Sequence, residues 1–145
     1  MTRRENLRTL ESEVAVLVRR VRHVVSDRAR AVHEDLHAGE YAMLAMLRRT
    51  GPARASDLAE AFRVDKGSVS RAVHHLVELG LVERTPDPED RRASLLAATP
   101  SALERLDAVA SERSARFDEK LSGLSDADVE QLVDLLARYN AALNA

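Results

Sequence analysis

The side chains in this sequence that can take part in chemistry are cations, hydroxyls and imidazoles, because the chain contains no cysteine. A disulfide, a thiolate nucleophile and a sulfur-ligated metal centre are therefore excluded. The cations and hydroxyls concentrate in two short segments, residues 65–71 and residues 84–92. At the start of a helix or the tip of a hairpin, such groups suit contacts with the base edges and phosphates of DNA.

The first segment opens a predicted helix over residues 66–79. Its apolar residues Val69, Val73 and Leu76 recur at i, i+4 and i+7, which predicts a buried face, and Asp65 can cap the helix. Polar residues lie on the opposite, solvent-facing side and in the first turns, the end that a recognition helix presents to DNA. A solvated surface helix would show the same pattern, so the helix alone leaves both readings open. These polar residues are Lys66, Ser68, Ser70, Arg71, His74, His75 and Glu78.

The second segment forms the tip of a predicted hairpin. Pro86 and Pro88 fix a turn, and the adjacent Arg91 and Arg92 follow it. An arginine suits a narrow minor groove, because its planar cation is weakly hydrated and is attracted by the negative potential there. Asp90 would repel phosphate, but it can pair with the arginine two residues on and hold that side chain in one rotamer. The hairpin therefore favours DNA binding more strongly than the helix does.

Long amphipathic helices at both ends of the chain must position these segments. In the first, apolar residues recur at spacings of three and four, which predicts a seam packed along another helix. Pro100 can open a second helix, capped by Thr99 or a neighbour, and after a break at residues 122–125 a third follows. We expect residues 1–36 and 100–145 to form a dimerisation region; an intramolecular bundle is the alternative. The seam residues are Leu7, Leu10, Val14, Leu17, Val21 and Val24.

The middle of the chain, residues 37–99, has shorter and more varied patterns. It predicts two short helices, of which the first ends at Gly51, then the helix already described, ended by Gly80 in a left-handed conformation. Two short strands follow, over residues 81–84 and 93–98. The predicted fold is mainly α: a winged helix-turn-helix with a two- or three-stranded β-wing and long terminal dimerisation helices.

Composition sets limits on the class of protein. The hydrophobic content of 45% is enough for a folded core. No apolar run is long enough to span a membrane, and no secretory signal begins the chain, so we expect a cytoplasmic protein without a membrane partner. The net charge of −2 gives no overall attraction to nucleic acid, so DNA affinity must come from the local clusters of cations.

Several linked motifs resemble those of the MarR (multiple antibiotic resistance regulator) family. They are Leu58-Ala59, the run Val64-Asp65-Lys66-Gly67-Ser68-Val69-Ser70-Arg71, the run Leu76-Val77-Glu78-Leu79-Gly80-Leu81-Val82-Glu83-Arg84, and Asp90-Arg91-Arg92. Their order and spacing agree with the family over about forty residues, which is far more specific than a lone helix-turn-helix match. After the wing the family usually has a leucine, a threonine and, three residues later, a glycine, whereas Ala98-Thr99-Pro100-Ser101-Ala102 keeps only the threonine. This departure leaves open how the second wing strand joins the next helix.

The resemblance implies a homodimeric, sequence-specific regulator of transcription that binds a pseudo-palindromic operator in double-stranded DNA. The same resemblance implies that the helix from Lys66 reads the major groove, that Arg92 enters the minor groove, and that Asp90 orients the Arg92 side chain. Family members are mostly repressors released by a small, often aromatic or phenolic, acid, for which His37, Tyr41 and Arg48 lie in suitable segments. No cofactor is implied. The candidate DNA contacts are Arg54, Lys66, Ser68, Ser70, Arg71, His74, His75, Asp90, Arg91 and Arg92.

Two other classes of function remain as alternatives. An enzyme would need a nucleophile, a base or a metal, and the best candidates are His33, Glu34, His37 and Glu40 near the junction of the first two helices. His33 and His37 have the i, i+4 spacing of metal ligands, but no third ligand is placed, and we expect neither catalysis nor a metal. A winged helix used only for protein contacts would favour aromatic anchors, and the chain has four tyrosines and phenylalanines in all.

Overall fold

A computed structural model of the chain describes residues 1–144. Within them six helices and one two-stranded sheet follow in the order expected for a mainly α winged helix-turn-helix, so the predicted fold class is confirmed. None of these helices is long and apolar enough to cross a membrane. The elements are α1 (Arg3–Val32), α2 (Ala38–Thr50), α3 (Ala55–Phe62), α4 (Lys66–Glu78), β1 (Val82–Pro86), β2 (Ser94–Ala98), α5 (Pro100–Lys120) and α6 (Asp126–Leu143).

The helices begin and end where local chemistry predicts. Asp65 caps α4 by accepting a hydrogen bond of 2.7 Å from the Ser68 N–H, and Ser125 caps α6 in the same way. Gly51 and Gly80, which follow α2 and α4, have positive φ angles of 81° and 72°, a conformation that glycine adopts without a steric penalty.

The wing is an antiparallel pair in which Val82 lies opposite Ala98 and Pro86 opposite Ser94. β1 begins one residue later than expected, because Leu81 is still in the turn after α4 and donates its N–H to the carbonyl of Leu76. The third strand is reduced to a single bridge between Ala53 and Leu96. The wing is therefore a two-stranded sheet with one extra bridging residue.

Thr99 joins the wing to α5, at the position where the sequence departs from the family pattern. Its hydroxyl donates to the carbonyl of Gly80 at 2.8 Å and accepts from the N–H of Ala102 at 3.1 Å. One side chain thus caps α5 and ties its start to the end of α4. The connection is made in spite of the missing glycine.

The chain divides into two compact units, residues 1–109 and residues 110–145. The first holds the hydrophobic core, to which α2, α4 and the wing contribute most, while α1 adds only Ala29 and Val32 from its last turns. The seam residues of α1 are exposed apart from Val14, which is half-buried. In the second unit α6 buries no residue among Asp126–Leu143. The core residues are Ala29, Val32, Leu36, Met43, Leu44, Leu47, Ala53, Leu58, Val69, Val73, Leu76, Leu81, Val82, Leu96, Ala102 and Leu106.

Candidate nucleic-acid interface

Helix α4 is held by one face and presents the other to solvent. Val69, Val73 and Leu76 are at most 4% exposed, so burial against the core fixes the rotation of the helix about its axis. The other side of the helix is polar and carries hydrogen-bond donors and positive charge. Its exposed members, all candidate DNA contacts, are Lys66, Ser70, Arg71 and His74.

A short hydrogen-bond chain orders the N-terminal turns of α4. Asp65 accepts from both the backbone N–H and the hydroxyl of Ser68, at 2.7 and 3.0 Å, and Arg71 Nη2 lies 3.2 Å from that hydroxyl. The N–H of Ser68, followed by its hydroxyl, lowers the pKa of Asp65, so this carboxylate stays ionised. Ser68 is half-buried and takes part in the N-cap of α4. The hydrogen bond from Arg71 to the Ser68 hydroxyl restrains the guanidinium in the absence of DNA.

His75 does not face solvent as the pattern predicted. It turns toward α2, where its Nδ1 pairs with Oε2 of Glu40, and its ring stacks on that of His37 with centroids 5.7 Å apart. The side chain of His75 is 32% exposed and that of Glu40 only 8%. The solvent-facing placement of His75 was therefore wrong, because α2 covers that edge of α4, whereas His74 on the other edge pairs with Glu78 in solvent.

The wing loop is built around a buried carboxylate that sequence reasoning missed. Asp87, only 4% exposed, accepts from the N–H of Glu89 at 2.9 Å and from Nε of Arg54 at 2.6 Å. The N–H of Glu89, and then Arg54, lower the pKa of Asp87, while Asp87 raises that of Arg54. Arg54, placed among the DNA contacts, therefore fastens the wing to the start of α3. In the sequence, Asp87 could be noticed only as an acidic residue between Pro86 and Pro88. This pattern predicts a turn but does not identify Arg54 as the residue that pairs with the carboxylate.

The tip of the wing presents two arginines. Arg91 and Arg92 are exposed, and in the part of the chain that the structure describes neither has an ion pair with an acidic group. Asp90 accepts a hydrogen bond of 3.0 Å from the backbone N–H of Arg92. The expected pairing of Asp90 with the Arg92 side chain was wrong, since the carboxylate accepts from the backbone of Arg92 and so shapes the turn instead.

The three candidate effector residues have different surroundings. His37 precedes α2 and its side chain is 81% exposed, while Tyr41 is half-buried against the core. Arg48 forms an ion pair of 2.5 Å with Asp107 of α5. The suggested metal pair of His33 and His37 does not share a helix, because residues 33–37 form the turn between α1 and α2. Their i, i+4 spacing therefore does not place both rings on one face.

Three short helices followed by an arginine-tipped hairpin define a winged helix-turn-helix, a class of DNA-binding unit. A family profile described as the MarR family matches residues 34–93. YxaD of Bacillus subtilis (strain 168), described as an uncharacterized HTH-type transcriptional regulator, is 32% identical over 133 residues, which span 92% of this chain and 92% of that protein. MhqR, an HTH-type transcriptional regulator of the same organism, is 28% identical over 90% of this chain and 89% of its own length. The chain belongs to the MarR family of transcriptional regulators.

Solved structures agree with this fold. RV1404 from Mycobacterium tuberculosis superposes with a TM-score of 0.79 at 22% identity, covering 92% of each chain. The MarR family transcription regulator SP03579 gives a TM-score of 0.78 at 23% identity, covering 97% of this chain and 93% of its own. The resemblance drawn from the motifs is therefore confirmed, and the relatives are named as regulators of transcription rather than as enzymes.

Proposed function

We propose that this protein acts as a homodimeric repressor that binds a pseudo-palindromic operator. The observation that carries the proposal is that one packed unit holds both an exposed cationic face on α4 and a wing whose two tip arginines have no ion pair among the described residues 1–144. In each protomer α4 enters the major groove by its N-terminal half, where Lys66, Ser70 and Arg71 are exposed. Arg92 enters the flanking minor groove, where Arg91 adds positive charge.

Dimerisation is inferred from apolar surface that the chain leaves uncovered. Leu10, Leu17 and Val21 of α1 are 43–49% exposed, and α6 carries Leu132 and Leu136, which are 45% and 41% exposed. Stripes of this kind at heptad spacing are stabilised by packing against another helix, and a two-fold dimer supplies it. We assign the dimer contacts to residues 1–36 and 100–145. The two α4 helices would then lie about 34 Å apart, one turn of DNA.

Release by a small aromatic or phenolic acid is the finer part of the proposal. Arg48 is the candidate that the contacts support best, because its guanidinium already binds a carboxylate, that of Asp107. An acid could take the place of Asp107 and separate α2 from the start of α5 within the first unit. Since the sites are linked, such an acid must weaken DNA binding by the same factor as DNA weakens binding of the acid.

Selection of genomic DNA on the purified protein, followed by gel shifts with the enriched fragments, tests the proposal. We expect one enriched motif with two inverted half-sites, and binding by two chains per motif. Loss of the shifted band on adding an aromatic carboxylic acid would support release. Enrichment without a common motif would rule out the operator, and one chain per motif would rule out the dimer.

A further inference from the structure

Within the described residues one group of metal-ligating side chains lies close together: His37, Glu40 and His75, whose donor atoms are all within 4.8 Å of one another. Two of them lie at the start of α2, and the third lies on α4. His37 immediately precedes α2, Glu40 lies in its first turn, and His75 is on α4. The spacing of His33 and His37 suggested a pair of metal ligands on one helix. The structure instead brings His37 and Glu40 together with His75 of a second helix.

We propose that His37, Glu40 and His75 form a zinc-binding site that ties the recognition helix α4 to α2. Two imidazoles and one carboxylate are a donor set that Zn²⁺ accepts, with water in the fourth position. Mg²⁺ and Ca²⁺ prefer oxygen donors alone, so this set selects against them. The His37 side chain is 81% exposed, which leaves room for a water molecule as the fourth ligand.

The geometry requires only small movements to accept the ion. A tetrahedral zinc with bonds of about 2.0–2.1 Å places its ligand atoms roughly 3.4 Å apart. His37 Nε2 already lies 3.9 Å from Oε1 of Glu40. On the other side, His75 Nδ1 and Glu40 Oε2 are in direct contact, so the ring of His75 must withdraw slightly as zinc enters between them.

Glu40 is prepared to act as a ligand. It is 7% exposed, and its Oε1 accepts a hydrogen bond of 3.3 Å from the backbone N–H of His37. Such a bond orients a carboxylate, as outer partners of metal ligands commonly do. His75 lies one helical turn beyond Arg71, so zinc would fix the helix that carries this predicted base contact.

Equilibrium dialysis of the full chain against Zn²⁺ alone, combined with thermal unfolding, tests the site. We expect one zinc per chain and a higher Tm with zinc, because the ion binds only where α2 and α4 are packed together. His37→Ala and His75→Gln each remove a ligand and should weaken zinc binding by more than about tenfold, since the loss of even an outer partner of a metal ligand typically costs about 10–100-fold. The glutamine can still donate to Glu40, so this variant should fold with a Tm near that of the wild type in the absence of zinc.

His33→Ala is the matched control, because His33 lies in the same turn between α1 and α2 as His37 but is not part of the proposed site. Its Nδ1 accepts a hydrogen bond of 3.1 Å from the N–H of Asp35. This variant should bind zinc as the wild type does. The proposal is overturned if the wild type binds no zinc, or if His75→Gln binds it unchanged. Loss of zinc in His33→Ala with retention in His75→Gln would move the site to the interhelical turn and equally overturn it.

Discussion

Arg92→Ala is the substitution that isolates the wing from the rest of the DNA interface. Arg92 is exposed, and its backbone N–H, rather than its guanidinium, is held by Asp90. Alanine keeps that N–H, so the turn and the fold should be unaffected. The variant therefore removes one positive charge per wing and leaves the α4 face in place.

The size of the effect follows from counterion release. Each phosphate neutralised by a cation contributes about −0.9 to the slope of log K against log salt concentration. A dimer loses two arginines, so the slope should become shallower by about 1.8 if each neutralises one phosphate. Over a fourfold change from about 50 to 200 mM salt, wild-type affinity should then fall about 12-fold more than that of the variant.

Fluorescence anisotropy with labelled operator at several salt concentrations measures both slopes. Arg49→Ala, which removes one exposed arginine from α2, outside both the wing and the residues assigned to the dimer contacts, is the control and should keep the wild-type slope. Discrimination among operator sequences that differ at major-groove positions should persist in Arg92→Ala. Unchanged affinity and slope in Arg92→Ala would remove the wing from the mechanism.

Three further variants test the base contacts of α4, the dimer and the wing loop. Arg71→Ala should reduce discrimination against operators with altered bases by roughly 1–3 kcal/mol per lost contact, measured by competition binding; equal losses on all sequences would instead make it a phosphate contact. Leu17→Glu should reduce the mass in light scattering from twice 16.0 kDa to 16.0 kDa, and a persistent dimer would exclude the α1 seam from the interface. The N–H of Glu89 and the side chain of Arg54 lower the pKa of Asp87 in the folded protein. The ionised carboxylate therefore contributes its full stabilisation above the pKa of about 3.9 that an Asp has in the unfolded chain, and this contribution is lost as the pH falls through the pKa of Asp87 in the folded protein. Asp87→Asn should therefore lower Tm at pH 7, with the difference from wild type closing below about pH 3.9; a difference independent of pH would contradict this.

Local patterns were sufficient to predict the elements of the fold. The spacing of Val69, Val73 and Leu76 gave the buried face of α4, and Asp65 and Gly80 gave its ends. Each of these signals depends on neighbouring residues along one element, through helical periodicity or backbone conformation. Such features need no knowledge of which other element packs nearby.

The same patterns could not separate the roles of His74 and His75. At 100° per residue the two imidazoles lie about 130° from the centre of the buried face of α4, on opposite sides. Which of them is covered depends on where α2 packs, and this is a tertiary contact between residues 35 positions apart, His75 and Glu40. Two histidines that the sequence treats alike therefore have different surroundings.

The contact between Arg54 and Asp87 was missed for a related reason. The loop after β1 is rich in charged residues, which predicts solvent exposure for all of them. Only the closing of the hairpin brings Asp87 against Arg54, 33 residues earlier in the chain. A partner at that distance leaves no periodic signal, so the one buried acid of the loop looked like its exposed neighbours.

Hydroxyl-radical footprinting of the wild-type protein on its selected operator is the sharpest test of the proposed DNA complex, because it maps which deoxyriboses the bound protein shields on both strands, including those that line a minor groove entered by the wing. We expect two symmetric half-sites whose centres are about 10 base pairs apart, each with a flanking minor-groove protection that disappears in Arg92→Ala. A single protected half-site, or protection without two-fold symmetry, would contradict a dimer that reads DNA with α4 and the wing.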